Sequence, residues 1–435
     1  MDIVSVVLQL IVSLSILVLI HECGHFLFAK LFKVRVEKFY LFFNPWFSLF
    51  KYKPKKSNTE YGIGWLPFGG YVKIAGMIDE SLDKEQLSKP PQPDEFRTKP
   101  VWQRLLIMVA GVVFNFLLAI VIYSGVLYHW GEEYIPLQNI TSGMEFSQPA
   151  QEIGFRDGDI LLSADDFPLE QFNENAFRLI VNAKKVKVLR ENDTTTLSIP
   201  ADLINRLMQH KKGFANYRIP FVVKSTLQNS PAQKAGLMSG DSIVAVNDDT
   251  AVFINDCITA FALNKENSVR LTLFRNGEQK EITVTPDKNG KIGVYMKAPA
   301  ELYHTRKLSY NLLEAIPAGI QKGVKKLTGY VSDMKYVFTK EGIESLGGFG
   351  TIAGLFPVPF NAQLFWEITA FLSVILAFMN ILPFPALDGG HLIFLCYEMV
   401  TRRKPSDRFM ETAQIIGMIF LFSLLIFANL NDLFR

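Results

Sequence analysis

Residues 3–29 read IVSVVLQLIVSLSILVLIHECGHFLFA. Ile3 to Ile20 carries no charge and is long enough to cross a bilayer as a helix. It runs straight into His21-Glu22-Cys23-Gly24-His25. On a helix, residues four apart share a face, so the imidazoles of His21 and His25 can hold one Zn²⁺ between them. Glu22 stands beside them, where a carboxylate serves as general base for water. Ionisable groups at membrane depth are costly and usually functional. Cys23 fills a position that points away from the metal and is read as packing.

Composition agrees with a membrane setting. The chain has 435 residues, too many for one simple domain, and 49% of them are hydrophobic, which favours an integral membrane protein with soluble parts. A net charge of +3 is too small to point to nucleic acid. Cys23, Cys257 and Cys396 make neither a C-x-x-C pair nor a disulfide framework. Met1-Asp2 lacks a basic leader and no small-residue cleavage site follows, so the first apolar run is read as a retained span.

Three more stretches are long enough to span: Leu105 to Tyr128, Ile368 to Leu387 and Thr412 to Asn431. Lys30, Lys33, Arg35, Lys38, Lys51, Lys53, Lys55 and Lys56 lie between the first two. Arg402, Arg403, Lys404 and Arg408 lie between the last two. The positive-inside rule makes both loops cytoplasmic. Read for a bacterial cell, this is a multi-pass inner-membrane protein with both termini and the central segment in the periplasm.

The central segment repeats. Pro149-Ala150-Gln151 recurs as Pro231-Ala232-Gln233, Gly154 as Gly236, and Gly158-Asp159 as Gly240-Asp241, all at an offset of 82 residues. Each copy leads into alternating β-type segments. Two copies mean tandem domains, not a solenoid. The pattern P-A-x-x-x-G-(apolar)-x-x-G-D resembles PDZ domains of the circularly permuted bacterial type, which bind peptides by strand addition. The alternative is a pair of spacers or size filters. The expected division is 1–128 for two spans and a cytoplasmic or membrane-associated β-loop, 129–215 and 216–300 for the PDZ-like copies, 301–362 for an amphipathic linker, and 363–435 for the last two spans. In the linker, Ile316, Ile320, Val324, Leu327, Val331 and Met334 form an apolar stripe flanked by lysines. Such a helix either lies on the outer membrane surface or packs against a PDZ-like domain.

A catalytic zinc has three protein ligands and an open position. The best third ligand is Asp388, in Asn380-Ile-Leu-Pro-Phe-Pro-Ala-Leu-Asp388-Gly389. His21 lies 18 residues into the first span and Asp388 20 residues into the third. At about 1.5 Å per residue both are about 27–30 Å along the helix path, although Pro383 and Pro385 must break the second path. A helix-terminal turn residue is the alternative reading of Asp388. His391 is read as structural rather than as a ligand.

These motifs together resemble the site-2 protease family of intramembrane zinc metalloproteases. H-E-x-x-H matches His21 to His25. N-x-x-P-x-x-x-L-D-G matches Asn380, Pro383, Leu387, Asp388 and Gly389. G-x-x-x-N matches Gly111 and Asn115, and the segment 68–77 resembles the family's membrane-associated β-loop. The resemblance implies a polytopic α-helical membrane protein with four transmembrane helices, that β-loop and two tandem periplasmic PDZ domains of α+β type. It implies Zn²⁺ on His21, His25 and Asp388, with Glu22 as catalytic base. Asn380 would hold substrate backbone or an oxyanion, or else satisfy backbone freed by Pro383. Asn115 would contact substrate, the loop or another helix. Gly69, Gly70 and Tyr71 would pair with an unwound substrate segment, since non-helical backbone at membrane depth must be paired or face water.

The expected activity is therefore cleavage of transmembrane segments of single-span proteins already trimmed outside, such as anti-sigma factors, and of remnant signal peptides. The partners are those substrates, the lipid bilayer and PDZ peptide ligands. A rival is a non-catalytic PDZ adaptor with a structural zinc, but no fourth protein ligand is evident. A zinc transporter would spread polar ligands along a path, and here they converge.

Overall fold

The computed structural model describes residues 2–55, 57–77, 90–210 and 213–434. Met1 and Lys56, named above, lie outside the described residues. The chain forms two compact units, Met1–Gly131 with Ser309–Arg435, and Glu132–Leu308.

In the first unit, α1 (Asp2–Leu31) is followed by β1 (Val36–Tyr52), β2 (Glu60–Ile74) and α2 (Val101–His129). After the second unit come α3 (Leu312–Val337), α4 (Ala362–Ile381), α5 (Asp388–Thr401) and α6 (Asp407–Phe434). Among the described residues, α1, α2, α4 and α6 are long and apolar enough to cross a membrane. Three follow the expected spans closely. The third stops at Ile381 rather than Leu387, because Pro383 and Pro385 cannot donate to a helical ladder. Leu382 to Leu387 folds into a turn, with Ala386 at φ 78°, and Asp388 starts a separate helix. The continuous path used in the depth count thus does not exist. An added Cβ on Gly389 would lie 1.9 Å from Leu382 O, so glycine is what lets the turn fold back over the start of α5.

The β1–β2 hairpin is folded on itself. Phe39 pairs with both Val72 and Tyr61, while Phe50 pairs with Ile63. The sheet therefore runs 66–74, 36–43, 60–64, 48–52 across its width. Gly70 lies against Val18 of α1, one turn before His21; an added Cβ would sit 2.7 Å from Val18 Cγ1. The sheet thus stands beside α1 at the depth of the H-E-x-x-H motif.

Helix α3 belongs to the first unit. It packs lengthwise on α2 and α4, with Lys322 paired to Glu367 and Tyr330 against Phe378. Its buried face is Ala315, Gly319 and Gly323, whereas Ile316, Ile320, Val324 and Val331 of the predicted stripe remain 42–47% exposed. An added Cβ on Gly319 would lie 2.2 Å from Ser124 Oγ. Among helices in lipid, small residues make the contact and large apolar ones face the solvent, which reverses the reading appropriate to water.

The second unit contains two copies of one architecture. The first has a four-stranded antiparallel sheet ordered Phe167–Pro168, Ile160–Ala164, Lys185–Arg190, Asp193–Ser198. The second repeats this order as Asp249–Thr250, Ser242–Val246, Val269–Arg275, Glu278–Val284. Each copy has its own apolar core. The repeated Gly-Asp explains itself. Asp159 receives two hydrogen bonds from Arg190 at 2.8 Å, and Asp241 two from Arg275 at 2.7 Å. The same guanidinium groups bond Gly154 O and Gly236 O, locking equivalent turns.

Candidate metal centre

Periodicity places His21 and His25 on one face of α1, and the Leu382–Leu387 turn brings Asp388 to meet them. His21 Nε2 lies 3.2 Å from His25 Nε2 and 3.1 Å from Asp388 Oδ2, and His25 Nε2 lies 3.3 Å from the same oxygen. All three residues are largely buried. The Nδ1 atoms are engaged elsewhere: His25 Nδ1 donates to Ile107 O at 2.8 Å, and His21 Nδ1 faces the Asn115 carboxamide at 3.1 Å. With the ring protons on Nδ1, three lone pairs point at one another. Asp388 Oδ2 is buried without a hydrogen-bond partner. Such an arrangement repels itself unless a cation occupies its centre. Four tetrahedral ligands at about 2.0 Å from zinc are about 3.3 Å apart. The residues present fit Zn²⁺ with the fourth position free, and no fourth metal-binding group joins them among the described residues.

Helix α2 shapes the space these rings occupy. A Cβ on Gly111 would stand 2.4 Å from His25 Nε2 and 2.7 Å from His21 Cε1. One on Gly24 would stand 2.5 Å from Ala110 O. The G-x-x-x-N element and the second x of H-E-x-x-H therefore let α1 and α2 meet backbone to backbone.

The three candidate ligands line a large cavity together with Glu22, Asn380, Gly69, Gly70 and Tyr71. Asn380 Nδ2 lies 3.4 Å from His21 Nε2, so its carboxamide borders the metal position. The Val72 backbone amide lies beside the Glu22 carboxylate. The strand segment Gly69–Ile74 forms one wall; β1 occupies one of its edges, and the other has no strand neighbour among the described residues. Asn115 is different. It has no accessible surface, meets His21 and is not among the residues that line the cavity. His391 lines the cavity without joining the ligand set.

Sequence reasoning missed the support from α6. Gln414 is 3% exposed, and its Oε1 accepts from Ala386 N–H at 3.3 Å. A Cβ on Gly417 would lie 2.2 Å from Pro385 O. The signal was present as a glutamine and a glycine three residues apart in an apolar span. The Ile107 carbonyl left no such signal.

The profile of peptidase family M50 matches residues 9–424. The "Regulator of sigma E protease" of Haemophilus influenzae is 30% identical, over 98% of this chain and 98% of that protein. A Borreliella burgdorferi protein named "Putative zinc metalloprotease" is 29% identical over 97% and 98%. A Vibrio cholerae protein of the same name is 27% identical over 100% and 99%.

Proposed function

The chain belongs to peptidase family M50, the site-2 proteases, and is a membrane-embedded zinc metalloendopeptidase, and from that premise we propose that it cuts unwound transmembrane segments of single-span proteins at the His21–His25–Asp388 centre. Zinc, when bound, lowers the pKa of water toward neutrality and polarises the scissile carbonyl. Glu22 takes the proton of the attacking water and returns it to the leaving amine. Asn380, beside the metal position, donates to the negative charge that develops on the carbonyl oxygen. The edge of Gly69–Ile74 that faces away from β1 pairs with substrate backbone. That matters because a helical peptide bond has its carbonyl already hydrogen-bonded, and strand addition holds the segment open.

The basic loops support a cytoplasmic α1–β1 end and, in a bacterial cell, periplasmic tandem domains. There the two domains act as PDZ domains, engaging new chain ends or excluding untrimmed substrates. The name of the Haemophilus influenzae relative supports an anti-sigma factor as substrate, within an envelope stress response; remnant signal peptides fit the same geometry.

One observation carries this reading: His21 Nε2, His25 Nε2 and Asp388 Oδ2 within 3.3 Å of one another, the Glu22 carboxylate and the strand Gly69–Ile74 share one cavity. The test is cleavage of a tagged single-span reporter by the intact chain and by Glu22→Gln. The expected result is a loss of about 10²–10⁴-fold with zinc content unchanged. Equal cleavage by the variant refutes the role of Glu22.

A further inference from the structure

Both ligand imidazoles are held from behind by a single ridge of α2. Ile107, Gly111 and Asn115 are spaced four residues apart, so they stack on one face. Gly111 leaves room for the rings. Ile107 O, on one side of it, takes the Nδ1 proton of His25 at 2.8 Å. Asn115, on the other side, places its Nδ2 end 3.1 Å from Nδ1 of His21. The two imidazoles are thus treated alike, one by a main-chain carbonyl and the other by a side chain.

We propose that Asn115 is a positioning residue that fixes the metal-binding tautomer and ring plane of His21, and that it makes no contact with substrate. The inference rests on the ligand set described above. A neutral imidazole that offers Nε2 to a metal carries its proton on Nδ1, and that proton needs an acceptor. The two ends of a carboxamide are isosteric, so with the proton on the ring the Asn115 carboxamide turns over and brings Oδ1, otherwise buried without a partner, to accept it. Asn115 has nothing else to serve. It is 0% exposed, and its second amide end has no hydrogen-bond partner. Its main chain is fixed by Ser373 Oγ, which donates to Asn115 O at 2.7 Å. Ser373 belongs to α4, the helix that leads into the Asp388 turn. The ridge that orients His21 is therefore tied to the element that delivers the third ligand.

The test compares zinc affinity of the detergent-solubilised full chain, by chelator competition, for wild type, Asn115→Leu, Asn115→Asp and His21→Ala. The Co²⁺-substituted absorption spectrum and the KM for a peptide reporter are read in parallel. Asn115→Leu keeps the volume and removes the acceptor; it should weaken zinc binding about 10–100-fold and shift the Co²⁺ bands. Asn115→Asp keeps an acceptor oxygen and should restore affinity to within a few-fold of wild type. Wild-type zinc affinity in Asn115→Leu with a raised KM would overturn the proposal in favour of substrate contact. Equal losses in the Leu and Asp variants would reduce Asn115 to packing and also overturn it. His21→Ala separates the two levels of inference: if it too binds zinc normally, the ligand set itself is wrong.

Discussion

Replacing Gly111 with alanine adds one methyl group to the middle of the metal site. The new Cβ would lie 2.4 Å from His25 Nε2, 2.7 Å from His21 Cε1 and 2.8 Å from His25 Cε1, whereas ordinary contact begins at 3.4 Å. Something must move by about 1 Å, and metal–ligand distances tolerate only about 0.2 Å. The rings cannot retreat freely, because His25 is tied to Ile107 O and Asp388 closes the other side. The helices cannot separate cheaply either, because Gly24 seats α1 directly on the Ala110 carbonyl. Overpacking of this kind costs about 1–3 kcal/mol in a well-packed core. Because it falls on two ligands at once, zinc affinity should drop at least as far as it does when a supporting hydrogen bond is lost, about 10–100-fold. Gly125→Ala is the matched control on the same helix, since its Cβ would meet nothing within 4 Å. Chelator competition on both solubilised variants, with thermal unfolding of the metal-free proteins, makes the comparison. Gly111→Ala binding zinc with wild-type affinity would refute the argument that this ridge sets the space for the rings.

Two further outcomes concern α6 and the second repeat. Gln414→Leu removes the acceptor of Ala386 N–H, and Gly417→Val drives a side chain into Pro385 O; both should lower reporter cleavage at least tenfold through misplacement of Asp388, with zinc affinity falling in parallel, and retained affinity would exclude that route. In the second repeat, burial alone would raise the Asp241 pKa, but hydrogen bonds from Arg275 and the Met238 amide outweigh it and hold the carboxyl below its usual range. Because the folded pKa is depressed, the stabilisation is present above the unfolded value of about 3.9 and is lost as pH falls through the folded value. Arg275→Met strands a carboxylate that is 0% exposed and should destabilise this repeat by about 3–5 kcal/mol at neutral pH. Hydrogen exchange within 216–300 reads both effects, and unchanged protection in the variant would count against the buried pair.

What could be read beforehand follows from which physical signals sequence carries. The motif on α1 was legible because helical periodicity alone places His21 and His25 together. The tandem copies were legible because Gly-Asp and its flanking residues recur at one offset. Their arginine partners were not, since Arg190 and Arg275 are separated by 85 residues rather than 82. Asp388 was named from its motif, whereas its delivery by a turn and a new helix was hidden by an apolar run that looks continuous. The stripe on α3 suggested a helix on the outer membrane surface or against a PDZ-like domain, whereas its packing on α2 and α4 runs through Ala315, Gly319 and Gly323, small residues that carry no periodic apolar signal. The acceptor for His25 was invisible in principle, because every residue carries a backbone carbonyl.

The remaining question is why a site with three candidate ligands on two segments needs a helix that supplies none of them. With their ring protons on Nδ1, two imidazoles and a carboxylate held about 3.2 Å apart turn lone pairs on one another, so this metal-ready arrangement must be held against its own electrostatics. At membrane depth there is no bulk water to solvate these groups, and the restraint has to come from packing and hydrogen bonds. Helix α2 supplies it at three levels. Gly111 sets the available volume, Ile107 O and Asn115 set the ring orientations, and Arg104 binds Glu398 of α5 through two hydrogen bonds of 3.1 and 2.6 Å. That last contact anchors the helix that begins at Asp388. The pattern predicts where loss-of-function substitutions without ligand chemistry should concentrate: on the α2 face that carries Arg104, Ile107, Gly111 and Asn115, rather than on its lipid-facing Val113, Leu117 and Val121, which are 43–66% exposed.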